Sequence, residues 1–378
     1  MKILQAFDFL SLPHGGGTVD IVYKLSKALA QRGHEVTICT GDHELDCKYL
    51  NGLGSVGLKM YSSYYNKHGM YMMPGLFGLQ AKDYDIIHLH CYRSFQNIVL
   101  ALLAIKNRIP YIIDAHGSTV PRSGRKTLLL DTYDCLAGRQ LIKYAKFVIA
   151  ETETGVSEWL RLTADREKIR VQHPLMDTSE FETLPMRGLF RRRYGLDSSP
   201  VILFLGRLHR TKGIGTLLHA FRQFVQTRSA WLVIAGQDDG YRTTLVELAG
   251  RLGVSDRVLF TGHISGMLKL TALVDADVLI QPSVNEAGAR PSLEAILCRT
   301  PVIVSRDTGA GKEITSFDGG LLFQSGDTGE LVCAIRNTIG NPEEARARTE
   351  KAREYIIENL SLDKQIGQYE KLYREAIA

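Results

Sequence analysis

The sequence predicts an α/β protein made of two parallel-sheet domains. Three observations predict it: short apolar strands recur and end in polar residues, amphipathic helical patterns lie between them, and the alternation lapses once near the middle before restarting. Repeated strand–helix units imply a parallel sheet covered by helices on both faces, because a crossover helix returns the chain to the start of the next strand. Two such series imply two Rossmann-like domains.

Taken in order, Ile3–Phe7 is an apolar strand that runs into LPHGGGTVD at residues 12–20. In TVDIVYKLSKALAQRG, Val22, Leu25, Ser26 and Leu29 fall at helical spacing, and Gly33 is a C-cap. HEVTIC is the next strand and closes one βαβ unit. YDIIHLH, PYIIDAHG and AKFVIAETE continue the series, with helices such as SFQNIVLALLAIKNR between them. Over 172–200 the pattern lapses into a segment with three prolines and a basic cluster, Arg187, Arg191, Arg192 and Arg193. It reads as an interdomain linker followed by a helix whose arginines form a solvated face. Then come VILFLG, a helix over about 214–226, WLVIAG, a helix over about 242–252, VLFTG, a short helix, DVLIQPS, a helix from Pro291, and PVIVS. The tail, 342–377, reads as helices interrupted at NLSLD.

Composition bounds the function. The 378 residues are 44% hydrophobic and 23% charged, enough to bury sizeable cores and unlike a disordered chain. The net charge is +5, shared as +2 up to Glu182 and +3 beyond. That mild excess suits anionic ligands or an acidic membrane surface, whereas nucleic-acid binding calls for a stronger basic stripe. Six cysteines without a C-x-x-C pair exclude a zinc ribbon or thioredoxin-like site and point to reduced, largely buried thiols in a cytoplasmic protein. No signal peptide is expected, since the chain begins with the strand-like KILQAF. The longest apolar run, IVLALLAI at 98–105, is far short of a membrane span, so the only membrane role expected is peripheral, at the inner face.

In open α/β sheets, ligands bind beyond the carboxyl ends of strands. After VILFL come Gly206 and Arg207, then Lys212 and Gly213 at the next helix. A glycine allows close backbone approach, and cations beside a helix N-terminus suit a pyrophosphate. Two solvated surface cations remain the alternative. After DVLIQPS, Glu286 lies in a loop and Glu294 follows eight positions later, one turn into a helix opened by Pro291. The N–H groups from Gly288 to Ser292 can face an anion, and the carboxylates can accept hydrogen bonds from ribose or hexose hydroxyls. Alternatively, Glu294 complements the helix dipole and Glu286 is a loop charge. His88 and His90 share a strand face, but the sequence shows no carboxylate partner, so no metal is assigned. Residues 65–79, rich in Met, aromatics and Gly, read as a loop over core or a surface for an apolar, lipid-linked acceptor.

The glycines at 15–17, beside His14 at the site's edge, admit several uses. A hydrolase oxyanion loop needs a G-x-S-x-G elbow, which is missing, and a dinucleotide fingerprint needs glycine where Asp20 stands. A plain turn remains, or a loop bare enough for a phosphate and an acceptor to reach main-chain N–H groups.

Together, FLGRLHRTKGIGTLLHAF, LVIAGQDDG, VLFTGHIS, ADVLIQPS and NEAGARPSLEAILCRTPVI resemble, in order and spacing over about 200–315, the C-terminal domain of glycosyltransferase family 4. The N-terminal half resembles the family more loosely, through the glycine loop, DIIHLH and DAHGS. The resemblance implies a GT-B fold: two Rossmann-like domains facing across a cleft, with a C-terminal helix crossing back to the N-terminal domain. The implied domains are 1–182 on the acceptor side, 183–355 for the nucleotide sugar, and 356–378 as the returning helix.

The resemblance further implies retaining transfer from a nucleotide sugar, UDP-linked first and GDP-linked next, to a glycan or lipid-linked acceptor, with no metal or other cofactor. By matching position, Arg207 and Lys212 neutralise the donor diphosphate, Glu294 binds ribose, and Glu286 faces the donor sugar. Main chain at Gly288 and Ala289 contacts sugar or phosphate, and main chain at Ile264 touches the base; Arg290, which follows a departure from the family pattern, adds a cation beside the phosphate site. His116 lies near the donor sugar, and Gly16, Gly17 and Gly206 allow close approach to phosphate and acceptor. Two departures stand out. Gly288-Ala289 replaces the family's aromatic-glycine pair, and HPLMD at 173–177 replaces Asn-Gly-hydrophobic-Asp. An epimerase or phosphorylase-like enzyme on the same scaffold, or an inactive nucleotide-sugar-binding protein, are the alternatives.

Overall fold

The computed structural model describes all residues except 12–16, 44, 66–70, 120–125, 174, 285 and 287. The chain forms two compact units, Met1–Met176 with Leu362–Ala378, and Asp177–Ser361.

In the first unit the strands are β1 (Lys2–Ala6), β2 (Glu35–Gly41), β3 (Gly57–Tyr61), the short β4 (Tyr64–Tyr65) and β5 (Tyr71–Met72), β6 (Ile86–His90), β7 (Tyr111–Asp114), β8 (Phe147–Ala150) and β9 (Ile169–Val171). Seven of them form one parallel sheet in the order β3-β2-β1-β6-β7-β8-β9; β4 and β5 pair separately as an antiparallel ribbon. In register, Ile3 sits opposite Val36 on one side and Ile86 on the other. The order reverses between β1 and β6, so a crevice opens at their carboxyl ends.

The second unit repeats the plan with β10 (Val201–Leu205), β11 (Trp231–Ala235), β12 (Val258–Gly262), β13 (Val278–Gln281), β14 (Val302–Ser305) and β15 (Leu321–Phe323). Its parallel order is β12-β11-β10-β13-β14-β15, with the reversal between β10 and β13.

Helices cover both faces of each sheet for the reason their spacing predicts. The Gly17–Gln31 helix buries Val19, Ile21, Val22, Leu25, Ser26 and Leu29 and ends at Gly33, whose φ of 86° suits a residue without a Cβ. The Ile214–Val225 helix buries Leu217, Leu218, Phe221 and Phe224 against β10, β11 and β13. The last helix, Leu362–Ile377, belongs to the first unit, where Ile366, Tyr369, Leu372, Tyr373 and Ala376 join the core that includes Ile3, Val22 and Ile86.

Two expectations change. Arg187 and Arg191 are not a free solvated face: they reach Asp277 at 2.5 and 2.8 Å, and Arg191 also donates to the carbonyls of Asp197 and Ser199. Arg192 and Arg193 do face solvent. The cysteines are all free, but Cys47, Cys135 and Cys333 are exposed, because each falls on the outer side of a helix. Among the described residues, no helix is long and apolar enough to cross a membrane.

Candidate active site

The second unit gathers its polar residues where β10 and β13 end. Past β10, Gly206 donates to the carbonyl of Ala235 at 3.0 Å, and the chain turns through Arg210–Lys212 into Gly213. Gly213 has φ 66°, and a Cβ there would run into the carbonyl of Pro282 in the loop after β13. The N–H of Val284 reaches the carbonyl of Thr211 at 2.9 Å, so the two loops are held against each other. This contact sets the central pair: the Lys212 ammonium donates to the Glu286 carboxylate, which also accepts from Ser283 Oγ at 3.0 Å. Both side chains are about four-fifths buried, at 18% and 20% exposure. The carbonyl of Glu286 accepts from Gly309 N–H at 2.8 Å, fixing the loop from its other side.

Arg207 stands apart from this pair. Its guanidinium is 2.8 Å from Asp239, and its side chain is 66% exposed. Such an exposed pair contributes about 0–1 kcal/mol and yields readily to a stronger anion.

Glu294 lies in the Arg290–Leu297 helix, largely buried, with Lys269 Nζ at 2.9 Å and Arg290 Nε at 3.6 Å. Ser292 Oγ donates to Gln281 Oε1 at 2.7 Å, and Gln281 Nε2 donates to the carbonyl of Gly288 at 3.2 Å. The end of β13 is thereby tied to the start of this helix. Ala289 N–H donates to Glu313 Oε2 at 2.8 Å. The row of N–H groups expected to face an anion is thus interrupted at Ala289 by an internal carboxylate. Ile264 is buried just beyond β12. Sequence reading missed Lys269 and Glu313; both lie on other helices, and no local spacing marks them.

In the first unit, Gly17 opens its helix, while Gly15, Gly16 and His14 lie outside the described residues. His116 follows β7 with φ 45°, and its side chain is 3% exposed. Its Nδ1 lies 2.9 Å from Glu151 Oε1 and 3.6 Å from Asp114 Oδ1; its Nε2 lies 2.8 Å from His90 Nδ1. His90 Nε2 meets Gln5 Oε1 at 2.7 Å, and Gln5 Nε2 donates to Tyr373 Oη at 3.1 Å. Tyr373 Oη lies 2.8 Å from His88 Nδ1, and Tyr369 Oη donates to Asp114 Oδ2 at 3.0 Å.

The partners fix the protons. Gln5 Oε1 only accepts, so His90 carries its proton on Nε2 and accepts at Nδ1 from His116. His116 then donates from both nitrogens, as an imidazolium does. Burial pulls its pKa down, but Asp114 and Glu151 outweigh burial and the net shift is upward. Burial, with the nearby His116 charge, holds His88 and His90 well below the ordinary value, hence neutral. Burial also pushes the Asp114 carboxyl up, against the pull of His116. The sequence showed no carboxylate beside His88 and His90; the fold supplies Asp114, with ligand-type atoms of the three residues within 4.8 Å of one another. Because both nitrogens of His90 are already hydrogen-bonded, the arrangement reads as a proton-ordered network.

Residues 15–180 match the family model described as Glycosyltransferase Family 4, and residues 187–355 the one described as Glycosyl transferases group 1. The N-acetyl-alpha-D-glucosaminyl L-malate synthase of Bacillus anthracis is 26% identical over 374 residues, covering 97% of this chain and 95% of that protein. An uncharacterised glycosyltransferase of Methanocaldococcus jannaschii is 30% identical over 294 residues, covering 74% of each. Among solved structures, Anabaena HepE in complex with UDP gives a TM-score of 0.81 at 19% identity, covering 99% of this chain and 100% of that one. At that identity the likeness speaks for the fold.

Proposed function

The chain belongs to glycosyltransferase family 4 and has the GT-B fold, and on that premise we propose that it is a retaining enzyme that moves a sugar from a nucleoside diphosphate sugar to an acceptor hydroxyl. UDP is the favoured nucleotide and GDP the next. The product is a glycan, polysaccharide or glycolipid intermediate.

The observation that carries this reading is the Lys212–Glu286 pair at the switch point of the second unit. A cation and a carboxylate lock each other there, and a donor separates them usefully. Its diphosphate competes for Lys212, and its sugar hydroxyls compete for Glu286. As the bond between the anomeric carbon and the phosphate oxygen breaks, negative charge grows on the leaving diphosphate. Lys212, in a partly desolvated setting, stabilises that charge more in the transition state than in the ground state. Arg207 turns from Asp239 to add a second cation. The acceptor oxygen bonds to the anomeric carbon on the face the phosphate leaves, and the departing phosphate takes the acceptor's proton. Glu286 as a base or nucleophile is the competing assignment.

Glu294 offers a carboxylate for ribose hydroxyls, competing with Lys269. His116, with both ring nitrogens committed, acts as a positioning residue at the carboxyl edge of the first sheet.

The test is calorimetric titration with UDP, GDP, ADP and CDP without metal. We expect micromolar binding of UDP, weakened about 30-fold or more in Lys212→Ala and about 3- to 10-fold in Arg207→Ala. Absence of binding by all four nucleotides overturns the reading.

A further inference from the structure

We propose that Asp8 binds the acceptor hydroxyl in the first unit, and that it selects an acceptor whose reacting end is neutral or amine-bearing over one that is anionic. The inference rests on the glycosyl-transfer reading above and adds the class of acceptor to it.

Asp8 lies two residues past the end of β1, at the carboxyl side of the switch point between β1 and β6. Its backbone carbonyl is held by Gly41 N–H at 3.0 Å. Asp8 is half-buried, and its Oδ1 accepts from Ser94 Oγ at 2.6 Å. Ser94 is the N-cap residue of the Phe95–Asn107 helix, yet its side chain makes no capping hydrogen bond. A serine in that position ordinarily stabilises its helix by about 1 kcal/mol through such a bond. Here the hydroxyl serves Asp8, from across the switch point.

No cation balances Asp8 among the described residues. Burial pushes its carboxyl up to about 6, and only the Ser94 hydrogen bond opposes the shift. The groups that feel its charge are the thiols of Cys39 and Cys91 and the phenol of Tyr133. Arg93, in the same loop as Ser94, is engaged elsewhere, with Asp134 at 2.8 Å and the carbonyl of Ser118. An ionised carboxylate offers roughly four acceptor positions, of which Ser94 fills one. A hydroxyl or ammonium is attracted to the others, and a carboxylate or phosphate is repelled.

Backbone strain gathers around the same edge. Among the described residues, six non-glycine residues adopt positive φ. Arg108, Thr163, Arg299 and Asp318 follow helices, where a left-handed residue commonly ends the last turn. The other two, Cys91 (φ 64°) and His116 (φ 45°), follow β6 and β7 at the carboxyl edge of the sheet. Strain of this kind persists where surrounding structure enforces it, and it clusters at binding sites.

The experiment measures nucleotide release by the purified 378-residue chain with UDP-glucose, or GDP-mannose where GDP is the nucleotide that binds. Methyl glucoside and myo-inositol are the neutral acceptors, glucosamine is the amine-bearing one, and L-malate and glucose 6-phosphate are the anionic ones. Release above the rate in water is expected with the first three and absent with the last two. In Asp8→Asn, acceptor kcat/KM is expected to fall about 10- to 100-fold while nucleotide Kd moves less than about twofold. Ser94→Ala is expected to show a smaller loss of the same kind, which keeps the test open if Asp8→Asn folds poorly. The proposal is overturned by preference for the anionic compounds, by no acceleration from any neutral or amine-bearing one, or by an unchanged acceptor kcat/KM in Asp8→Asn. Failure of the wild-type chain to bind any nucleotide sinks the glycosyl-transfer reading instead.

Discussion

At the scale of single residues, the His116 imidazolium is held by partners at both ring nitrogens. Glu151 at 2.9 Å and Asp114 at 3.6 Å hold its charge, and His90 accepts its second proton. Its pKa is raised in the folded state, so its contribution to stability has a definite pH window. The contribution is complete below the unfolded histidine value, about 6.5, and is lost as pH rises through the elevated native value. Glu151→Gln removes one of the two carboxylates. It is expected to lower the melting temperature more at pH 6 than at pH 9, and histidine NMR titration should show the His116 transition at lower pH than in wild type. Equal destabilisation at both pH values means that the ring is neutral in the wild-type chain. Lys212, Glu286 and Glu294 were legible in the sequence because each stands at a strand end or helix start that the pattern marks. Glu151, Asp8 and Lys269 were not. Their partners are 35, 86 and 25 positions away, and such pairings arise only when the sheet brings strand ends together.

At the scale of elements, strands buried on both faces announced themselves as apolar runs, whereas of the strands at sheet edges only β12, as VLFTG, was read from the sequence. Besides the two-residue β4 and β5, sequence reading missed β3, β9 and β15, each at an edge of its sheet. They span only three to five residues and carry exposed or half-exposed positions, so neither the continuous apolar signature nor a clean alternation appears. Loop contacts were equally invisible, and Gly213 shows their weight. Adding a methyl there combines a left-handed φ with a collision against the Pro282 carbonyl. Gly213→Ala is expected to cost more than about 2 kcal/mol and to weaken UDP binding, because the loops carrying Lys212 and Glu286 must separate. Gly33→Ala is the control. That residue also has positive φ but meets nothing within 4 Å, so a cost of about 1 kcal/mol and unchanged UDP affinity are expected. Denaturant unfolding and calorimetry on the two variants separate backbone strain from loop contact. Equal effects on UDP affinity would remove Gly213 from the site.

At the scale of the whole molecule, the last helix gives the chain an unusual dependence. Leu362–Ile377 comes after the second unit in sequence, yet it completes the first. It buries Ile366, Tyr369, Leu372, Tyr373 and Ala376, and its two tyrosines hydrogen-bond with Asp114, Gln5 and His88. Arg32 reaches back to Glu370 at 3.1 Å, and His34 meets the same carboxylate at 2.9 Å. Removing residues 362–378 therefore strips an apolar face and leaves buried polar groups without partners, each costing about 1–3 kcal/mol. The second unit loses none of its own core, which is built from residues such as Phe204, Leu217, Ile280 and Ile335. A chain of two units need not unfold in one step, so scanning calorimetry can follow each. The truncated chain is expected to lose or sharply lower one transition and keep the other. UDP should raise only the surviving one, since a ligand stabilises what it binds. Tyr373→Phe should show the same asymmetry in milder form. If truncation instead lowers both transitions equally, the two units unfold as one cooperative body, and the last helix supports the nucleotide site as much as it supports the sheet it covers.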